Sequence, residues 1–326
     1  MPWRRIAYPQ TQADWIASAA LLPLSWLYGL GWRSYAAVYR FGLKRRRRFD
    51  LPILGIGNLT VGGSGKTPVV IELVRLAHKS GLSPAVSLSG YGSPAASGTT
   101  VLMPNDEVTA AMHGDEPAEF RRAHPSVPLI IGRDRVAAAE AASDFQCLIL
   151  DDGFQHLPLG RTADAVIWDD DLPNRRLLPA GPLREPVSGL ARASAVVTPN
   201  RAPSNYAGNV FTFTREYQDV RDVATDERFG LDWLRGKEIN ALCAIARPEA
   251  FFEALERLGA NIRRSTALGD HDTLASVQAS NLPTVITEKD AVKIGPQPGE
   301  FFALSMRARF TNEEAIAAWL TKNLSR

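Results

Sequence analysis

The sequence is poor in cysteine and histidine: 326 residues hold two Cys and five His. Two cysteines, Cys147 and Cys243, cannot build a disulfide framework or an all-cysteine zinc site. Both stand in apolar runs (Gln-Cys-Leu-Ile-Leu and Ala-Leu-Cys-Ala-Ile), so each is expected to be reduced and buried in a protein of the cytosolic side. The histidines show no zinc-ligand spacing. No Gly-x-Ser-x-Gly elbow occurs, and no Gly-x-Gly-x-x-Gly follows an apolar strand, so neither a serine-hydrolase nor a dinucleotide signature is present. Low-complexity sequence is also lacking. With 45% hydrophobic residues, seven Trp and thirteen Phe, the chain cannot be disordered, and its length suffices for two ordinary domains.

Net charge is small, +2, but it is unevenly spread. Residues 1–49 carry nine Lys/Arg against Asp14 alone, which is +8; the remainder carries 28 basic and 34 acidic groups, which is −6. A basic head on an acidic body points to an anionic surface and away from nucleic acid. Within the head, residues 15–32 are 18 positions without a charge, interrupted by Pro23, Gly29 and Gly31. A bilayer span needs about 20 apolar residues, and no small-residue cleavage site follows, so neither a span nor a signal peptide is expected. Aromatics at both ends and the basic run at 44–48 suit a helix lying in an anionic leaflet.

An apolar β-type run then leads into Asn58-Leu-Thr-Val-Gly62-Gly63-Ser64-Gly65-Lys66-Thr67, followed by a helical pattern with Pro68 in its first turn. Strand, glycine-rich turn and helix form the context of a P-loop. Backbone N–H groups of Thr60, Val61, Gly62, Gly63, Ser64 and Gly65 would converge on phosphate oxygens at a helix N-terminus. Lys66 would reach the β/γ-phosphates, and the Thr67 hydroxyl would hold Mg²⁺. The strict pattern asks for Gly at position 60, where this chain has Thr60.

Farther on, Gly114-Asp115-Glu116-Pro117 sets two carboxylates at the start of a helical pattern. Val127-Pro-Leu-Ile-Ile-Gly-Arg133-Asp-Arg135 runs from a strand into two guanidinium groups. Cys147-Leu-Ile-Leu-Asp151-Asp152 has the form of a Walker B strand, whose carboxylate lies beside the Mg²⁺ of a nucleotide. His271 stands among polar residues in Leu268-Gly-Asp270-His271-Asp272, where a core role is disfavoured.

Together these residues resemble one family, the tetraacyldisaccharide 4′-kinases of the lipid A pathway. The likeness spans nearly the whole chain: Gly57-Asn-Leu-Thr-Val-Gly-Gly-Ser-Gly-Lys-Thr-Pro68, Gly114-Asp-Glu-Pro117, Asp151-Asp-Gly-Phe-Gln-His156, Leu178-Pro-Ala-Gly-Pro-Leu-Arg-Glu185, Ala246-Arg-Pro-Glu-Ala-Phe-Phe252, Asp270-His271 and Thr287-Glu-Lys-Asp-Ala-Val-Lys293. The family shares the missing P-loop glycine. It usually carries Ser-Arg-Gly-Tyr where this chain has Leu88-Ser89-Gly90-Tyr91, so a phosphate contact from that Arg is lost, with Arg133, Arg135 or Arg184 as possible substitutes.

The resemblance implies ATP- and Mg²⁺-dependent phosphorylation of the 4′-hydroxyl of a tetraacylated glucosamine disaccharide 1-phosphate, giving lipid IVA. It places the reaction at the cytoplasmic face of a bacterial inner membrane, with no obligate protein partner. It implies two α/β/α lobes, the first a P-loop NTPase-like parallel sheet, with an N-terminal membrane-associated helix. The boundaries expected are 1–32 for that helix, 33–200 for the kinase domain and 201–326 for a smaller lobe. Asp115 would be the base, paired with His271, and Lys66 would stabilise the transferred group. Thr67 with Asp151 or Asp152 would organise the metal, and Glu116 is a further ligand candidate. Two other readings weigh less. Thr287-Glu-Lys-Asp290 approaches a guanine-reading Thr-Lys-x-Asp, but Glu288 occupies the Lys position. A nucleotide-sensing membrane adaptor would not need the carboxylates gathered around the P-loop.

Overall fold

The computed structural model describes residues 2–62, 65–204, 206–269, 272, 281–294 and 300–325. Three helices come first: α1 (Pro2–Ala7), α2 (Gln12–Ala20) and α3 (Leu22–Arg40). Strand β1 (Ile53–Asn58) leads through the glycine turn to α4 (Lys66–Lys79), β2 (Pro84–Leu88) and β3 (Thr100–Leu102). Then follow α5 (Ala110–His113), α6 (Asp115–Ala123), β4 (Leu129–Ile131), α7 (Arg135–Ala141), β5 (Cys147–Leu150), β6 (Ala163–Ile167) and β7 (Ala195–Thr198). The long β8 (Asn209–Asp222) precedes β9 (Arg228–Phe229), β10 (Glu238–Cys243), α8 (Pro248–Arg257), β11 (Asn261–Ala267), β12 (Thr284–Thr287), α9 (Glu288–Ala291), β13 (Phe301–Phe310) and α10 (Glu313–Leu324).

Among the described residues thirteen strands form one sheet, ordered β11-β10-β12-β13-β8-β7-β6-β1-β5-β2-β4-β3, with β9 on β8. Pairing is parallel except at the β3 edge, between β13 and β8, and at β9. Central strands β1 and β5 are buried on both faces, as expected of parallel strands covered by helices. One face packs Leu54, Ile149 and Ala165 against α4 and α10. The other packs Ile53, Leu148 and Ile130 against α7 and, beyond β6, Val166 and Val196 against the loops around Leu172 and Leu183. Chain order jumps on either side of β1, because β5 separates it from β2 while β6 flanks it opposite. Such a switch opens a crevice at the C-terminal strand ends.

The two halves share the sheet through β8, whose start pairs with β7 and whose remainder pairs with β13. Segment 201–326 therefore does not stay in one half. Ala308 and Phe310 of β13 and Ile316, Trp319, Leu320 and Leu324 of α10 are buried in the core beneath α4 and β1. Glu72 of α4, buried, accepts hydrogen bonds from Arg307 at 2.8 and 2.9 Å across the same seam.

The head departs from a single helix over 1–32. Its charge-free run breaks after Leu21, and Pro23, which can donate no backbone hydrogen bond, sits in the first turn of α3. That helix continues through Arg33 to Arg40. Among the described residues no helix is long and apolar enough to cross a membrane. The head docks through small polar groups: the hydroxyl of Ser18 donates to Ala180 O (2.5 Å), that of Ser25 to Leu177 O (2.9 Å) and that of Tyr28 to Arg184 O (2.7 Å). Gly29 permits this approach, since a Cβ there would lie 2.8 Å from Leu177 Cδ1.

Because α10 completes the core under the P-loop helix, Leu320→Ala should lower unfolding free energy by about 3 kcal/mol in urea titration. A loss below about 1 kcal/mol would show that α10 does not belong to that core.

Candidate active site

After β1 the chain stays extended where the strict P-loop pattern would turn. Val61 N–H donates to Pro182 O (2.8 Å), and Arg184 N–H donates to Leu59 O (2.7 Å). Thr60 forms a bridge with Leu183, and its hydroxyl accepts from Asn58 Nδ2 (2.9 Å). This pairing explains why Thr replaces glycine at position 60: the backbone there needs no left-handed conformation. The left-handed positions are Gly62 (φ +85°) and Gly65 (φ +68°), where a side chain would be strained. Gly63 and Ser64 lie outside the described residues. Helix α4 then starts at Lys66 with no side-chain cap, leaving its first N–H groups available to an anion.

Two adjacent carboxylates follow β5 in opposite electrostatic settings. Asp152 adopts a left-handed turn (φ +55°) that brings its carboxylate to Lys66 Nζ at 2.8 Å and to both Arg184 Nη atoms at 2.8 and 2.9 Å. Burial acts to raise its pKa, but Lys66 and Arg184 outweigh burial and hold it well below the usual carboxylate range. Asp151 is buried, and its Oδ1 has no hydrogen-bond partner. Burial and then the Glu116 charge push its carboxyl up to about 7. The buried Arg135 guanidinium donates to the main-chain carbonyl of Asp151 (2.6 Å).

Phe154 and Gln155 of Asp151-Asp-Gly-Phe-Gln-His156 brace the end of β1. Phe154 fits beneath Gly57, where a Cβ would meet Phe154 Cβ at 2.7 Å. Gln155 Nε2 bridges Asn58 O and Glu185 Oε1, each at 2.8 Å.

Asp115 opens α6 directly after Gly114, whose φ of +96° only glycine accommodates freely. It is 8% exposed. Its Oδ1 accepts from Glu116 N–H (3.0 Å), and its Oδ2 lies 3.6 Å from Lys289 Nζ and 3.7 Å from Lys293 Nζ. These lysines come from and just after α9, and no sequence signal had assigned them a role. Glu119, one turn along α6, has an orphaned buried Oε2, and burial pushes its carboxyl up to about 8. The expected partner of Asp115, His271, lies outside the described residues.

Both halves present strand ends to a cleft of about 590 Å³. Thr60, Val61, Gly62, Gly65, Lys66 and Thr67 line it from β1 and α4, with Asp151, Asp152 and Glu116 beside them. Ala246 and Arg247 after β10, and Thr287 and Lys289 at α9, face them. Asp115 is not among the lining residues, although Glu116, Glu119 and Lys289 around it are. Guanine recognition through Asp290 is ruled out by geometry. Its buried carboxylate is taken up by Ala244 N–H (3.0 Å), Thr287 Oγ1 (2.7 Å) and Lys293 Nζ (3.1 Å).

Among the described residues no three His, Cys, Asp or Glu side chains form a metal cage. Mg²⁺ does not need one, because it is usually held by one or two carboxylates with phosphate and water completing the octahedron. The orphaned Asp151 Oδ1, the Thr67 hydroxyl and Glu116 are hard oxygen donors on the cleft wall, which fits that ion. Asp152 fits it less well, since two cations already hold its carboxylate.

The chain is similar to proteins of known name over most of its length. A family model described as LpxK, tetraacyldisaccharide-1-P 4′-kinase, matches residues 17–325. A tetraacyldisaccharide 4′-kinase of Acidovorax sp. (strain JS42) is 36% identical over 298 residues, covering 89% of this chain and 86% of the relative. One of Shewanella baltica (strain OS155) is 38% identical over 285 residues, covering 84% and 81%. The crystal structure of LpxK from Aquifex aeolicus in complex with ATP superposes with a TM-score of 0.82 at 26% identity, covering 94% of this chain and 99% of that one. The glycine turn, the paired aspartates and the shared cleft thus stand in a chain that belongs to the tetraacyldisaccharide 4′-kinase family.

Proposed function

We propose that this chain transfers the γ-phosphoryl group of ATP to the 4′-hydroxyl of a tetraacylated glucosamine disaccharide 1-phosphate, yielding lipid IVA and ADP. The observation that carries this reading is a single cleft in which the P-loop, with Glu116 of the Asp115 helix start beside it, faces Ala246, Arg247, Thr287 and Lys289 of the second half. Phosphoryl transfer needs position and charge neutralisation more than covalent chemistry. Lys66 and the uncapped N–H groups of α4 bind phosphate oxygens and stabilise the charge that grows on the transferred group. Lys66 is held by Asp152 before nucleotide arrives, so it is already aimed into the cleft. Thr67 and Asp151, with Glu116 near them, would hold Mg²⁺, which would neutralise phosphate charge.

Asp115 accepts the proton of the attacking hydroxyl. Lys289 and Lys293 stand 3.6 and 3.7 Å from its carboxylate and tie it to the second half of the protein. His271 orients or relays that proton, as the resemblance implies. Because Lys289 comes from the second half and Asp115 from the first, a change in the approach of the halves alters the base as well as the cleft.

A substrate with four acyl chains stays in a membrane, and the head is built for its surface. Hydroxyls and a glycine of α2 and α3 face the body, while Trp26, Leu27 and Leu30 are 61–70% exposed. Apolar side chains outward and polar ones inward reverse the pattern of a water-facing helix, which marks an interaction face. The exposed cations at 44–48 add attraction to anionic lipid, about 1 kcal/mol each. The cytoplasmic face of a bacterial inner membrane supplies both ATP and such a surface.

Incubation with Mg-ATP and the lipid disaccharide 1-phosphate should give a bisphosphorylated product, and its absence would remove the proposal. Asp115→Ala should lose roughly 10²–10⁴-fold in kcat with the KM for ATP nearly unchanged; near-normal turnover would rule it out as the base. Trp26→Glu with Leu30→Glu should reduce partition onto anionic vesicles at least roughly tenfold, from the loss of two apolar anchors. Unchanged partition would place the membrane contact elsewhere.

A further inference from the structure

The strand that joins the two halves brings a cation to the glycine turn. Along β8, Phe211, Phe213 and Arg215 recur at period two. The two phenylalanines are buried in the core that holds α4. Arg215 continues their line into the cleft, where it is exposed with its guanidinium 5.5 Å from the Phe213 ring centre. That guanidinium lies over Gly65: a Cβ on the glycine would stand 3.4 Å from Arg215 Nη2, 3.5 Å from Nε and 3.8 Å from Cζ. Gly65 precedes Lys66 and is the N-cap of α4. Neither the phosphate contacts nor the proton transfer described above uses Arg215.

This is a costly place for a cation. The N-terminal end of α4 carries partial positive charge without a side-chain cap, and Lys66 is its first residue. The carboxylates that answer these cations are shared. Asp152 serves both Lys66 and Arg184. Asp169, whose charge acts on Arg215, also takes Arg247 Nη1 at 3.3 Å. Asp151 and Glu116 line the same cleft and are the carboxylates assigned to Mg²⁺ above. Around the glycine turn, then, four cations share two carboxylates. Like charges gathered at an open cleft repel one another, and a multivalent anion relieves that repulsion. The anion must reach from the start of α4 to β8. The terminal phosphates of a nucleoside triphosphate meet both demands, since a P-loop lysine sits at the β/γ pair.

We infer that Arg215 binds the β- and γ-phosphates of the nucleotide together with Lys66, which makes the strand joining the two halves part of the nucleotide site. The inference rests on the ATP-dependent reading and adds to it a substrate-binding residue supplied by β8. Arginine suits the task because its planar fork offers paired donors to phosphate oxygens. An arginine supplied in cis to the phosphoryl group is a recurring device of P-loop enzymes. The position suits it as well: β8 pairs with β7 of the first half and β13 of the second, so a triphosphate held by α4 and β8 is gripped at the seam. The competing role for Arg215, neutralising Asp169 and nothing more, is separated by the test.

Titration calorimetry on the full chain compares native protein with Arg215→Ala and Arg215→Lys, using a non-hydrolysable ATP analogue with Mg²⁺ and, separately, AMP. Arg215→Ala should weaken binding of the triphosphate analogue by roughly tenfold or more, while affinity for AMP changes by less than about twofold. Arg215→Lys keeps the charge without the fork and should fall between the two proteins. If Arg215→Ala does not fold, the lysine variant carries the test through the same selectivity for triphosphate over AMP. Equal losses on both nucleotides would make Arg215 a support of the cleft wall, and no loss would leave it a partner of Asp169 alone; either result overturns the inference. So would recovery of triphosphate affinity when Arg215→Ala is combined with Asp169→Asn, because the loss would then come from an unanswered carboxylate. Binding is read without acceptor, so a failure of the 4′-kinase reading at the acceptor leaves these outcomes intact. Native protein that binds neither nucleotide would end the ATP-dependent reading and this inference with it.

Discussion

The Asp152 carboxylate, held between Lys66 and Arg184, is the interaction on which the site depends. It ties together three pieces of chain that local sequence leaves independent: the end of β5, the first residue of α4 and the loop carrying residues 177–185. Asp152 reaches both cations only because its backbone turns left-handed straight after β5, a conformation that Asp tolerates better than most residues. Arg184 extends the clamp further. Its side chain also reaches the Asn58 side chain and main-chain carbonyl, and its own N–H and carbonyl bond Leu59 and Tyr28. Through one residue the P-loop is thereby linked to the N-terminal head.

Buried charge around this clamp is sorted by partners. Asp152 has two cations and stays ionised, whereas Asp151 next to it has none in contact and is pushed toward the neutral form. The pair thus offers one carboxylate clamped by two cations and one whose buried Oδ1 has no hydrogen-bond partner. The same logic applies to α6: Asp115 has two lysines nearby, while Glu119 is buried with an orphaned oxygen and its carboxyl is pushed up to about 8. Continuity of the sheet through β8 and β13 gives these distant charges a common frame, and the return of α10 under α4 secures the frame on the P-loop side.

Much of this was legible in the order of residues. The glycine turn, the apolar strand ending in Asp151-Asp152 and the helix start at Asp115 each follow from short-range rules, and each stands where those rules put it. The head was legible in composition but not in form. Pro23 reads as a weakness in one helix, whereas in the fold it begins a second helix that runs on to Arg40. Lys289 and Lys293 stood in a segment shared with the family, but their pairing with Asp115 was not legible, because the target lies far away in sequence. Arg135 was equally ambiguous, since nothing nearby in sequence tells a solvated arginine from one buried against the carbonyl of Asp151.

By itself, then, the sequence determined which backbone could cradle phosphate, which apolar runs would be strands and which segment would be apolar yet too short to span a bilayer. These follow from glycine conformation, continuous apolar runs and hydrophobic length, all properties of neighbours along the chain. Only the tertiary structure decided which of two adjacent aspartates is clamped and which is left open. It also decided that Thr60 replaces a glycine because it pairs with Leu183, and that the last helix serves the first core. The physical reason is that charge state and burial depend on partners brought from remote positions, and those partners meet only when β8 and β13 join the two halves into one sheet.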